Sequence, residues 1–179
     1  WLVVGATAFL VSNPVPTRFV RHVARWRNPN ALIQPDAPEL EPLFAELQTR
    51  IGRDVAPKEA LRKVERFVYE RVPYAWDWDT WINSDYLPTV QEVLQKGQED
   101  CDGRAVVAAS LLRRLGFKAE LVTDFSHVWV ATDQGEVMSP GKQKAVVATG
   151  EGLDVQPGAL GQFLKTVPYG IAVFPLGRE

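Results

Sequence analysis

One cysteine, two histidines and one methionine are all that this 179-residue chain holds of those residue types. A lone thiol excludes an internal disulfide, and by itself it does not fix the redox compartment. Cys101 with so few histidines is too little for the usual Cys/His zinc site, and no metal or other cofactor is expected. Asp77 and Asp79 have a spacing reminiscent of calcium loops, but the turn glycine and the bidentate glutamate are missing. Charge of one sign is also lacking. The net charge is −2 and the isoelectric point about 5.8, so nucleic acid is not an expected partner. No internal repeat and no low-complexity tract is visible, which excludes a solenoid. The apolar opening run, Trp1 to Val11, is shorter than the roughly 20 residues a spanning helix needs.

What is present is globular in balance. With 46% hydrophobic and 23% charged residues, the chain can bury a substantial core. Because the first residue is Trp, a longer gene product is expected, with the apolar run as the end of a membrane span. The competing reading is a buried terminal strand or helix. In residues 17–27, Phe19, Val20, Val23 and Trp26 recur at helical spacing, while Arg18, Arg21 and Arg25 take another face. A basic amphipathic helix of this kind suits the lipid headgroup zone. Phe19, Arg21, Arg25 and Trp26 are its expected membrane or partner contacts; the alternative is a surface helix packed on the domain or on another protein. The arginine cluster favours the cytoplasmic face. Residues 28–42 contain four prolines and read as an extended linker. The expected division is therefore 1–27 as anchor, 28–42 as linker and 43–179 as the domain.

Within the domain, helices come first. Residues 43–51, 57–71, 89–96 and 103–115 carry helical patterns, the last mainly apolar and expected to be central. A loop rich in Trp and Asp, 74–81, separates the second from the third. Strands follow at 118–124, 127–132, 136–139 and 145–148, with Asp133-Gln-Gly135 as a hairpin turn. A short helix near 159–165 and a strand at 170–174 are expected in the tail. Helices followed by strands imply an α+β fold with an antiparallel sheet.

The only cysteine opens the apolar helix, in Asp100-Cys101-Asp102. The unsatisfied N–H groups of a helix start favour a thiolate and can hold an oxyanion. Asp100 and Asp102 work against the thiolate, so a cationic partner is needed. His127, 26 residues later, begins a strand in Ser126-His-Val-Trp-Val130 and is the available base. The competing reading makes Cys101 a small buried residue and His127 a strand residue. Gln95 and Gln98 are candidates for a second oxyanion donor, or plain solvent-facing amides. Trp81, with Trp76 and Trp78, is either a cleft wall or core cover.

The ordered set of motifs from Val72 to Pro140, roughly 70 residues, resembles the transglutaminase-like superfamily, including bacterial transglutaminase-like cysteine peptidases. It consists of Asp100-Cys101-Asp102, Leu111-Leu-Arg-Arg-Leu-Gly116 and His127-Val-Trp129, preceded by Val72-Pro-Tyr74, Tyr86 and Pro88. The resemblance implies a papain-like fold in which a central helix carries the cysteine against a small antiparallel sheet. It also implies thiol-based acyl transfer on amides of proteins or peptides, with Cys101 and His127 as the catalytic pair, and it favours the periplasmic face. The family's third member, a carboxylate on the strand after the histidine strand, has no counterpart. Ser139 stands in that approximate slot and is the candidate orienting group. A non-catalytic relative serving as a scaffold subunit of a membrane complex is the alternative function.

Overall fold

A computed structural model describes residues 2–155, apart from 53, 125, 142–145, 150 and 151. The tail helix and strand expected at 159–165 and 170–174 lie outside the described residues. Among the described residues, seven α-helices precede five strands: α1 (Leu2–Ser12), α2 (Pro16–Trp26), α3 (Glu41–Ile51), α4 (Pro57–Arg71), α5 (Asp77–Trp81), α6 (Val90–Lys96), α7 (Cys101–Arg114), β1 (Ala119–Thr123), β2 (Val128–Thr132), β3 (Gly135–Val137), β4 (Val146–Thr149) and β5 (Gly152–Val155). The strands form one antiparallel sheet in the order β3-β2-β1-β4-β5. This is the α+β arrangement the order of patterns implied.

The core forms between α7 and its neighbours. Val106 to Leu112 are buried, because α4, α6, β1 and β2 all pack against α7. α4 contributes Leu61, Val64, Phe67 and Val68 from a single stripe. β2 contributes Trp129, fully buried in the sheet's centre. α6 is started by a reciprocal cap in which Thr89 and Glu92 bond each other's backbone N–H. Gly97 ends it at a φ of 71°, a conformation that costs glycine little.

Three segments depart from expectation. Residues 28–42 are not an extended linker. They form two short 3-10 turns, Pro29–Leu32 and Pro38–Leu40, and Leu32, Ile33 and Leu40 are buried in the core. The prolines start these turns rather than extending the chain, and three aliphatic side chains are enough to draw the segment in. Residues 77–81, expected as loop, make a helical turn ended by Ile82 at a φ of 54°. A fifth strand, β5, pairs with β4 at the sheet edge.

The N-terminal helix pair is oriented unexpectedly. α2 turns arginines toward the domain. Arg25 donates to the Tyr86 hydroxyl and the Leu87 carbonyl and pairs with Glu92 at 2.8 Å. Arg18 donates to the Trp81 carbonyl and lies over its ring. Trp26 packs on the core and Phe19 meets Phe9 of α1 edge-on at 4.9 Å. Val20 and Val23, 65% and 43% exposed, face outward with Phe9, Leu10 and Val11. Of the four expected membrane or partner contacts, Arg25 and Trp26 therefore serve the domain, Arg21 also reaches the Tyr86 hydroxyl, and Phe19 packs on α1. The acceptors on residues 81–92 satisfy the guanidinium groups, and of the apolar residues of α2 Val20 and Val23 are left outside.

Candidate active site

Cys101 is the first residue of α7 and keeps some solvent access. Asp100 caps the helix, its carboxyl accepting the Asp102 N–H at 3.0 Å. The amides of the first turn, the Cys101 N–H among them, have no intrahelical acceptor by helix geometry. The segment entering the helix is clamped by backbone pairing. Glu99 N–H donates to Pro73, and Ala75 N–H donates to Glu99. Gly103 lets Glu99 lie against the helix, since a Cβ there would sit 2.0 Å from the Glu99 Cγ.

His127 ends the β1–β2 turn. The Asp124 N–H donates to its carbonyl, and the Asp124 carboxylate accepts from the N–H and hydroxyl of Ser126. Packing of α7 on β2 then brings the Cys101 sulfur to the residue beside His127: the Val128 N–H points at that sulfur and favours its ionised form. The thiol donates to Asp102 Oδ1 at 3.4 Å, and among the described residues no hydrogen bond joins it to the imidazole.

The His127 Nε2 lies 2.9 Å from the Met138 carbonyl oxygen. A carbonyl can only accept, so Nε2 carries the hydrogen and Nδ1 is left as the bare, basic nitrogen. The Trp129 ring stacks against the imidazole with centroids 6.3 Å apart. The orienting position assigned to Ser139 is thus occupied by the backbone of the preceding residue. The Ser139 hydroxyl accepts from the Gly141 N–H at 3.2 Å instead. Met138 reaches the ring because its φ is 63°, a left-handed conformation rare for a residue with a side chain.

The electrostatics oppose a preformed thiolate. Burial, then the Asp102 and Asp100 charges, push the Cys101 thiol well above its usual range. Asp100 is itself raised to about 8, chiefly by burial and then by Glu99 and Asp85. Glu99 is raised to about 7 by burial, held down in part by the Trp81 indole. Burial also raises Asp77 and Asp102. Asp77 Oδ2 accepts the Tyr86 N–H at 2.5 Å, while its Oδ1 is buried with no hydrogen-bond partner among the described residues, close to the Glu99 and Asp100 carboxyls. Two sets of ligand atoms lie close enough to share an ion: Asp77, Glu99 and Asp100, and Asp100, Cys101 and Asp102. The helix N-terminus was expected to favour the thiolate, but desolvation and this acidic surround outweigh it.

The remaining candidates are placed as follows. Gln95 is exposed on α6, and the Gln98 amide donates to Thr80 Oγ1 at 3.4 Å. Trp81 is 5% exposed and its indole donates to both Glu99 oxygens, at 2.9 and 3.0 Å. It therefore lies beneath the cysteine segment, supporting it. Two residues that sequence reasoning did not single out stand at the site. Tyr74, 48% exposed, senses the charges of Asp100 and Cys101, and burial pushes its phenol upward. Arg104, one turn along α7, lies 5.0 Å from the Tyr74 ring and donates to the Val72 carbonyl. Their signal was the Val72-Pro-Tyr74 motif that closes α4 just before the site.

No curated protein sequence matches the chain. The family model described as "Transglutaminase-like superfamily" matches residues 45–147, more than half of the 179 and a stretch that contains Cys101, His127 and Met138. The match spans the helix that opens on Cys101 and the strands on which it packs, and the chain belongs to the transglutaminase-like superfamily.

Proposed function

We propose that this protein is a thiol acyltransferase or cysteine peptidase acting on amide bonds of proteins or peptides, with Cys101 as nucleophile and His127 as base. One observation carries the reading. The His127 ring is held through Nε2 with Nδ1 bare, one residue from the amide that points at the Cys101 sulfur. In this reading burial and the Asp102 and Asp100 charges favour the thiol, and its proton leaves as sulfur attacks the substrate carbonyl, with Nδ1 accepting it. The oxyanion is met by the amide at the start of α7. The imidazolium then gives its proton to the leaving amine, and a thioester remains on Cys101. An amine or water takes the acyl group and releases the thiol. A carbonyl orients the imidazole but does not neutralise it. Loss of the carboxylate from a comparable triad costs on the order of 10⁴ in rate, so turnover is slow.

The N-terminal helices support membrane association as part of this reading. No helix among the described residues is long and apolar enough to cross a membrane. Five of the large exposed apolar side chains, Phe9, Leu10, Val11, Val20 and Val23, belong to α1 and α2, which suits contact with an apolar surface. The upward shift of the thiol favours a second reading, a catalytically impaired domain acting as a scaffold subunit.

The deciding experiment incubates the protein with a glutamine-containing polypeptide and a biotinylated alkylamine, following amide cleavage and amine incorporation by mass spectrometry. Product that requires Cys101, together with an acyl adduct on its sulfur, supports the enzyme. Identical yields from the wild type and Cys101→Ala overturn it in favour of the scaffold.

A further inference from the structure

The imidazole is positioned by a chain of contacts that reaches beyond the sheet. Met138, directly after β3, has its side chain buried and its backbone in the left-handed region at a φ of 63°. A non-glycine residue keeps that conformation where its surroundings impose it. Here both of its polar backbone groups are held. The carbonyl meets His127 Nε2 at 2.9 Å, and the N–H donates to Glu65 Oε1 at 2.6 Å. Glu65 projects from α4, which packs against β3, and its neighbours Val64, Phe67 and Val68 are anchored in the core. The acceptor is therefore mounted on a rigid element, and its short contact is that of a charged acceptor.

We infer that Glu65 is the positioning residue of the catalytic histidine, acting through the backbone of Met138. It does the work that the family's carboxylate would do directly, from another element and one residue removed. Without it, Met138 relaxes from the left-handed region, its carbonyl leaves Nε2, and the imidazole loses both its orientation and its single tautomer. The inference rests on His127 being the base, but the tautomer is measured independently of any reaction.

The test uses protein labelled with nitrogen-15 at its two histidines, with His22→Gln to assign them. In the wild type, with the ring neutral, His127 is expected to show the Nε2–H form. Glu65→Ala is expected to give a mixture of tautomers with an unchanged fold, and Glu65→Gln, which keeps a carbonyl acceptor, is expected to restore the single form. In parallel, alkylation of Cys101 by iodoacetamide is expected to slow about 100-fold in Glu65→Ala, the scale of a misplaced catalytic group, and to recover in Glu65→Gln. A single Nε2–H tautomer in Glu65→Ala overturns the inference. So does Glu65→Gln behaving like Glu65→Ala. If the tautomers respond as expected while the alkylation rate matches that of His127→Ala in every variant, the positioning role stands and the enzyme reading fails.

Discussion

Replacing Glu99 by Gln tests the acidic surround of the nucleophile. Glu99 is fully buried, and its carboxyl is raised from 4.5 to about 7. Between those values the folded protein holds a proton that the unfolded chain has released. Stability from this group is therefore complete below pH 4.5 and lost as pH rises through about 7. At about 1.4 kcal/mol per pH unit, the difference bounds the loss at about 3.5 kcal/mol. Interaction with the nearby Asp77 and Asp100 carboxyls lowers the single-residue share, so about 1–3 kcal/mol is expected. Glutamine mimics the neutral acid, accepting from the Trp81 indole and donating toward Asp77, but does not titrate. Urea unfolding at pH 5, 6.5 and 8 measures the effect. Wild-type stability should fall across this range, and Glu99→Gln should flatten the fall and be the more stable form at pH 8. A variant whose pH dependence matches the wild type, or a wild type that gains stability from pH 5 to 8, would refute the reasoning.

Further changes probe other joints of the account. Ser139→Ala should leave the His127 tautomer and Cys101 alkylation unchanged, because the Met138 carbonyl holds the ring; a tenfold slower alkylation would return the role to the hydroxyl. Gly103→Ala should cost about 2–3 kcal/mol in denaturant unfolding, since the new methyl collides with Glu99, Val93 and Pro88. An unaltered unfolding midpoint would mean that the cysteine segment is looser than described. Arg25→Ala should cost about 2–3 kcal/mol by removing bonds to Tyr86, Leu87 and Glu92, and should raise amide exchange across α2. Unchanged exchange would show that α2 is not held by its arginines.

The features legible in the sequence were those with short-range causes. The stripe of α4, the apolar α7 opening on Cys101, and the Asp133-Gln134 turn between β2 and β3 follow from local spacing and turn chemistry. The features that were not legible arise from distant partners. Proline-rich residues 28–42 read as linker because nothing local announces that Leu32, Ile33 and Leu40 have a core to enter. The α2 arginines read as headgroup ligands because their acceptors, on residues 81 to 92, lie some 60 positions away. Cys101 at the start of α7 and His127 just before β2 were legible as motifs, but the group that meets the imidazole was not. A backbone carbonyl has no residue-type signature, and neither the left-handed Met138 nor Glu65, 73 positions earlier, marks it in the sequence.

The central claim is that His127 takes the proton from Cys101, and the rate of Cys101 alkylation by iodoacetamide at pH 7.5 tests it most directly when wild type and His127→Ala are compared. A base acting on a protonated thiol should make the wild type faster by about 100-fold, the lower end of general-base effects. Equal rates in the two proteins would contradict the account.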